Sequence, residues 1–374
     1  MLKRIKVMLA KEFRQLFRDP RMRMVIFMAP IVQLVVFAFA ITTDVNNISA
    51  GIVDFDNSSE SRGLVSAFTS SGYFKVKQAF VTVDSATDAL DKGEIQCFIV
   101  TNAGFASDIA AGETAPLQVV IDGTDSTTAA TILGYAAHIA AQYSADVLLD
   151  ALSRSGETFG QPLDVRSRAW FNARLESRIF YIPGLLATVL TLITLMLTGL
   201  AIVREKEMGT IEQIMVTPIK PHEFILGKTL PYAASGIFVI TLMLLVARIV
   251  FHLPIRGNIA LFYLGALLYL LSTLSGGLLI SATSATQQQA MLSTFLYMMP
   301  LILLSGFMFP IANMPEPVQA VTLFNPMRYF VVILRGVLLK GVGFDVLWTQ
   351  FAALAAIGIA TLALAANRFT KTMG

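Results

Sequence analysis

Long apolar runs, interrupted by short charged segments and by one long polar insert, set the pattern of this chain. Six runs reach bilayer length, reading roughly 24–43, 180–203, 229–246, 259–283, 290–309 and 347–366. A helix rises about 1.5 Å per residue, so a crossing needs about 20 apolar residues. The first run exceeds the core of a signal peptide and no convincing small-residue cleavage site follows Ala40, so it reads as a retained helix.

Residues 44–178 break this pattern, with apolar and polar positions alternating in short elements. Strands are predicted at Gly51–Asp54, within Phe74–Val83, at Ile95–Val100 and at Leu117–Ile121. Helices are predicted at Ser59–Ser70, Ser85–Lys92, Phe105–Ala111 and from Ser126 to about Leu152, where Ile132, Tyr135, Ile139, Tyr143 and Val147 form one stripe. Alternation of this kind implies an α/β sandwich large enough for one core.

Composition changes little in that picture: 55% hydrophobic and 14% charged residues are too apolar for a soluble globule. Charge adds direction. Lys3, Arg4, Lys6, Lys11, Arg14, Arg18, Arg21 and Arg23 precede the first run against Glu12 and Asp19, which places the N-terminus in the cytoplasm. Six crossings return Arg368 and Lys371 to that side, leave 44–178 outside and keep 204–228 inside; Arg248 and Arg256 run against the rule. The expected fold is a polytopic α-helical membrane protein of six transmembrane helices, with an α/β extracytoplasmic domain inserted after the first span. Residues 1–23 also carry an amphipathic pattern, with Leu2, Ile5, Leu9, Phe13 and Leu16 on one stripe and a basic face suited to anionic lipid. Asp19-Pro20 ends that helix.

Catalytic chemistry is sparse. Asp54, Asp56, Asp122 and Asp125 lack the spacing of a calcium loop, and His138, His222 and His252 fall on both sides of the membrane, so no metal site is expected. Cys97, the one cysteine, reads as a buried small hydrophobe. No nucleophile motif is present. Gly227-Lys228-Thr229 resembles the end of a phosphate-binding loop, but His222 stands where its upstream glycine belongs; Lys228 and Thr229 read instead as the entrance to the third span. The six runs hold no Asp, Glu, Lys, Arg or His in their interiors, which argues against an ion-coupled secondary transporter. Met291, Phe295, Met298, Met299, Phe307 and Met308 form either an adaptable apolar passage or ordinary helix packing.

Two segments stand out. Within 204–218, Thr210 and Gln213 have capping-box spacing, Ile211, Ile214 and Met215 give one apolar face, Glu205, Glu207 and Glu212 add acid, and Pro218 stops the helix. This reads as a short cytoplasmic helix able to transmit force, or as a solvated link. Within 318–340, Asn325-Pro326, Arg328 and Arg335 break an apolar stretch into two short dipping helices.

The sequence Arg204-Glu205-Lys206-Glu207-Met208-Gly209-Thr210 resembles the coupling element of the ABC-2 type permeases, the membrane subunits of ATP-binding-cassette exporters. Arg18-Asp19-Pro20, Gly51-Ile52-Val53-Asp54, Arg168-Ala169-Trp170-Phe171-Asn172, Tyr181-Ile182-Pro183-Gly184, Ser305 to Pro310, Met314-Pro315 and Asn325 to Tyr329 agree in order, so the likeness covers the whole chain. It is nearest to the bacterial drug-exporter branch with a large periplasmic domain. The resemblance implies a homo- or heterodimeric permease, six spans per subunit, resting on a cytoplasmic ABC ATPase dimer that holds ATP and Mg. The chain itself then binds no cofactor and is not an enzyme. It further implies a bacterial inner-membrane location, a periplasmic membrane-fusion partner, no nucleic acid, and amphipathic drugs or lipid-like molecules as substrates. Arg204, Glu205, Glu207, Gly209, Thr210 and Glu212 become the expected ATPase-coupling residues, and Arg328 and Arg335 the candidate outer-gate residues. The rival to a transporter is an envelope receptor or assembly protein acting through its external domain.

Overall fold

A computed structural model describes residues 9–14, 18, 20–40, 47–154, 176–209 and 221–373. Leu2, Ile5, Leu16, the Arg168–Asn172 motif, Thr210, Glu212 and Gln213 lie outside the described residues. The chain divides into two compact units, 1–42 with 169–374, and 43–168.

The helical unit begins with helical residues 9–14, a helical turn Pro20–Arg23, a π-helical turn Met24–Met28 and helix α1, Ala29–Ala40. In the α/β unit the chain then runs β1 (Ile48–Asp54), α2 (Ser59–Ser70), β2 (Phe74–Phe80), α3 (Val83–Asp91), β3 (Cys97–Thr101), α4 (Phe105–Ala111), β4 (Leu117–Ile121) and α5 (Ser126–Arg154). The strands form one sheet in the order β2-β1-β3-β4, with β1 parallel to both β2 and β3 and β4 antiparallel to β3. Strand periodicity assigns the two faces. Ile48, Ala50, Cys97 and Ile99 pack under Leu64 and Phe68 of α2 and Ile132, Ala136 and Ile139 of α5, while Val53, Phe98 and Val100 pack under Ala86 and Ala89 of α3. The stripe predicted on α5 therefore covers the sheet, and Tyr143 fastens it by donating its hydroxyl to the Glu60 carbonyl at 2.8 Å.

The aspartates near the strand ends build turns. Asp54 accepts from the Ser61 and Thr101 hydroxyls, each at 2.7 Å, and from the backbone N–H groups of Asp56 and Asn57 at 3.1 and 3.0 Å. Burial opposes its ionisation, yet these donors outweigh that cost and hold the carboxyl below the usual aspartate range. Asp56 accepts from the N–H groups of Gly104 and Ala106 at the start of α4, at 2.8 and 3.0 Å.

The helical unit resumes with α6 (Ser177–Glu207), α7 (Pro221–Val250), α8 (Ile259–Thr283), α9 (Gln287–Leu303), the short α10 (Glu316–Thr322), α11 (Pro326–Arg335) extended by a π-helical turn Gly336–Lys340, and α12 (Phe344–Met373). Among the described residues, four helices are long and apolar enough to cross a membrane: 177–207, 223–250, 259–283 and 344–368. A fifth arises if α10 and the helix from Pro326 to Lys340, bent by 81° where Asn325-Pro326 restarts the chain, count as one span. The first run is helical from Pro20 through Ala40, and residues 41–43 of its expected span lie outside the described residues. One expected span is shorter than predicted. The run expected to end at Phe309 ends at Leu303, because Gly306 takes a left-handed φ of 74° and Pro310 follows.

One core joins these helices. Leu34 of α1, Ile182 and Leu190 of α6, Val239 of α7, Tyr269 of α8, Phe330 of α11 and Phe351 of α12 are all buried in it, and Tyr269 stacks on Phe330 with centroids 4.2 Å apart. The α6–α8 contact is polar as well as close. Thr194 donates to Thr273 at 3.1 Å, Thr191 bonds the Tyr269 hydroxyl, and Ser281 accepts from the N–H groups of Ile202 and Val203, both at 3.1 Å. A Cβ on Gly277 would sit 1.8 Å from the Thr198 hydroxyl, so only a glycine permits this approach.

Candidate coupling site and outer gate

Helix α6 continues through the first part of the charged segment. Met208 caps it, and Gly209 takes the left-handed φ of 68° that closes a helix without strain. The coupling helix expected at 204–218 is thus corrected at its start: Arg204, Glu205 and Glu207 form the last turn of α6. Neither proline nor glycine stands between Gly199 and Gly209, so the apolar helix carries its hydrogen-bond ladder through them. The correction reverses the electrostatics. Carboxylates at a helix C-terminus face the negative end of its dipole and need cations or donors from elsewhere.

Neighbouring helices supply those partners. Glu205, only 3% exposed, accepts from Lys228 of α7 at 2.9 Å, and Lys11 of the N-terminal helical segment lies 3.5 Å from the same oxygen. Lys228 is itself 4% exposed; it also reaches Glu12 at 3.3 Å and the Ala201 carbonyl at 3.0 Å. Lys228 was expected at the entrance of the third span; its side chain is buried in the protein, because α7 begins about two turns before the apolar run and buries Glu223, Phe224 and Ile225 near its start. Lys206 donates to the carbonyls of Ala282 and Ser284 at 3.0 and 3.3 Å, capping the C-terminus of α8. Glu207 accepts from the Gln287 backbone N–H at 2.7 Å and bonds the Gln287 side chain, capping the N-terminus of α9. Arg204 lies half-buried near Tyr232. One helical turn therefore addresses α7, α8, α9 and the N-terminal segment with successive side chains.

The structure brings Glu205 and Glu207 into this hub with Arg204 and Gly209, while Thr210 and Glu212 lie outside the described residues. Lys11, Glu12, Lys206, Lys228 and Gln287 join them without having been singled out as site residues. The signal for Lys228 was a lone lysine beside an apolar run, which cannot be told from an entrance marker by sequence.

At the other end of α6, the two arginines part ways. Arg328 donates to Thr322 across the α10–α11 bend and lies 5.7 Å over the Tyr329 ring. Arg335 donates to the Gly306 carbonyl at 3.2 Å and stacks 3.9 Å above Phe180. The methionines and phenylalanines around α9 do not share one surface. Met298 and Phe307 are core residues, whereas Met291, Phe295, Met299 and Met308 are exposed in the single chain.

Apolar helices of spanning length, joined at one end by a charged turn that touches four segments, describe a multi-pass membrane protein. The comparisons agree. Residues 20–367 match the family described as ABC-2 family transporter protein, and the chain belongs to that family. Its relatives include the "Probable multidrug ABC transporter permease YbhR" of Escherichia coli (strain K12), 30% identical over 99% of both chains. YbhS, of the same description and organism, is 33% identical over 91% of this chain and 89% of its own. The "Inner membrane transport permease YhhJ" of that organism is 31% identical over 97% and 96%. The chain is thus an ABC transporter permease and a multi-pass membrane protein.

Proposed function

We propose that this chain is the permease subunit of a bacterial inner-membrane exporter that moves amphipathic drugs or lipid-like molecules outward. Two such subunits, identical or paralogous, rest on a cytoplasmic ABC ATPase dimer, which holds the ATP and Mg. Each subunit crosses six times with both termini cytoplasmic: α1 and α9 span with the four long helices, and α10–α11 re-enter near an outer gate formed with Arg328 and Arg335. The α/β unit stands in the periplasm, where a membrane-fusion protein docks.

The observation that carries this reading is the last turn of α6. A partner that displaces the segment after Gly209 pulls on α7 through Glu205, on α8 through Lys206 and on α9 through Glu207, so one push is shared among the transmembrane helices. The descriptions of the relatives as multidrug permeases support the substrate class. Purification of tagged chain from native membranes in mild detergent, with mass spectrometry of its companions and an ATPase assay, tests the reading. A stoichiometric ABC ATPase is expected. Glu207→Ala and Gly209→Val are expected to leave insertion intact and lower substrate-stimulated hydrolysis several-fold. Unchanged coupled transport in both variants removes the coupling assignment, and a chain without an ATPase companion turns attention to a receptor role for the α/β unit.

A further inference from the structure

Among the described residues, Arg335 is the one arginine, itself partly buried, with shielded nitrogens that meet no acceptor. Its Nη1 donates to the Gly306 carbonyl at 3.2 Å and its face lies 3.9 Å from the Phe180 ring centroid. Its Nε and Nη2 are shielded from solvent and meet no hydrogen-bond acceptor in the protein. No carboxylate among the described residues pairs with it. A guanidinium stays charged at any physiological pH, and burying that charge with two donors unmet is costly. The two unmet atoms are not a random pair. Nε–H and one N–H of Nη2 point along the same edge, the fork that receives two oxygens of a phosphate, sulfonate or carboxylate side by side.

The surroundings describe the rest of a ligand. Phe180 is 43% exposed and holds the guanidinium plane, and Met308 and Phe309, which follow the Gly306 turn closely, are 47% and 57% exposed. Phe307 is instead buried against Tyr181 and the bare face of Gly184, fixing the turn that carries the Gly306 carbonyl. A fixed cation stacked on an exposed aromatic ring matches an oxyanion with an apolar body attached.

We propose that the Nε–Nη2 edge of Arg335 is a binding subsite for the oxyanion head group of an amphiphile, with Phe180 holding the guanidinium in place and neighbouring apolar groups meeting the tail. The head group is supplied either by an anionic phospholipid of the surrounding bilayer or by an anionic amphiphilic solute on its way through the permease. The inference is independent of the ATPase-coupling reading and requires only that the chain sits in a membrane.

Full-length protein in a neutral maltoside detergent, titrated with dioleoylphosphatidylglycerol and read by native mass spectrometry, tests it. Dioleoylglycerol, with the same tails and no phosphate, is the control. Wild type is expected to bind the phosphatidylglycerol at least about tenfold more tightly than Arg335→Gln, the loss that removing a charged hydrogen-bond donor brings, with dioleoylglycerol equal on both. Arg335→Lys, which keeps the charge and loses the fork, is expected between them. Decanesulfonate separates the sources: displacement of the lipid assigns the edge to amphiphilic anions in general, and failure to displace it assigns it to phospholipid. Equal phosphatidylglycerol affinity in wild type and Arg335→Gln, or no wild-type preference over dioleoylglycerol, overturns the proposal and leaves the edge to water. If Arg335→Gln does not purify, wild-type preference together with weakened binding by Arg335→Lys decides in its place, and the absence of either overturns it.

Discussion

Lys228 shows how much can rest on one side chain. It sits between Glu205 and Glu12, with both of its carboxylate partners and its own ammonium almost wholly buried. Replacing it by methionine keeps the stem, removes the lysine that pairs with Glu12 and leaves Glu205 with the more distant Lys11. Removal of one partner from a buried pair costs about 3–5 kcal/mol, so Lys228→Met is expected to lower the melting temperature in detergent markedly. Adding Glu205→Gln should restore part of that loss, and a double variant as unstable as the sum of both singles would contradict the pairing. In the α/β unit, Asp54 predicts a pH effect of definite sign. Its carboxyl is held below the unfolded value, so its contribution is complete above the ordinary aspartate range and is lost as pH falls through the lowered native value. The protection factors of β1 amides in the full chain, taken against the intrinsic exchange rate at each pH, should therefore fall on acidification, and Asp54→Asn should flatten that dependence while weakening protection at neutral pH. Neither role was legible from sequence, since both depend on residues distant along the chain: Lys228 needs Glu12, and Asp54 needs Thr101.

At the scale of elements, the α/β unit was the more legible part. Ser59–Ser70, Phe105–Ala111 and Leu117–Ile121 stand where local pattern put them, because caps and glycines mark their ends: Ser58 caps α2, and Gly112 ends α4 with φ 73°. The membrane helices were found but misjudged at their ends. Apolar composition continues past Leu303 while the backbone does not, and the Gly306 turn, not hydropathy, decides where α9 stops. Charge misled in the opposite direction at Arg204, where the residues look like a new cytoplasmic helix and yet prolong α6. Helix contacts depend on small residues that hydropathy scores as unremarkable. Gly277→Ala is expected to destabilise by about 1–3 kcal/mol through overpacking against Thr198, measured by detergent-phase thermal unfolding. Thr198→Ala in the same chain should relieve part of it.

For the whole molecule, the class was legible because the family's motifs are spread along the full chain, while the partners of each motif residue were not, because they belong to different helices. The two units can be followed separately by a reagent the chain already carries. Cys97, the one cysteine in the sequence, is fully buried in β3, and burial pushes its thiol up to about 12. Thiolate is the reactive form, so maleimide should label the native protein very slowly at neutral pH and rapidly once denaturant opens the sheet. Fast labelling of a protein whose helices are still folded would show that the α/β unit opens by itself.

Helix α6 is tied near both ends. Phe180 holds Arg335 of α11, and Glu205 holds Lys228 of α7, 25 positions further along the helix, a rise of about 37 Å at about 1.5 Å per residue. A piston stroke of even one residue's rise would pull the 2.9 Å contact at Glu205 out of hydrogen-bonding range and slide the Phe180 ring from under its guanidinium. Rotation about a transverse hinge leaves both ties intact if α7 and α11 swing with it. On the proposed coupling reading, such a strut is expected to work as a lever and not as a plunger: a small tilt at the Gly209 end would become an opposite excursion at the Phe180 end, and the length of one helix would set the stroke.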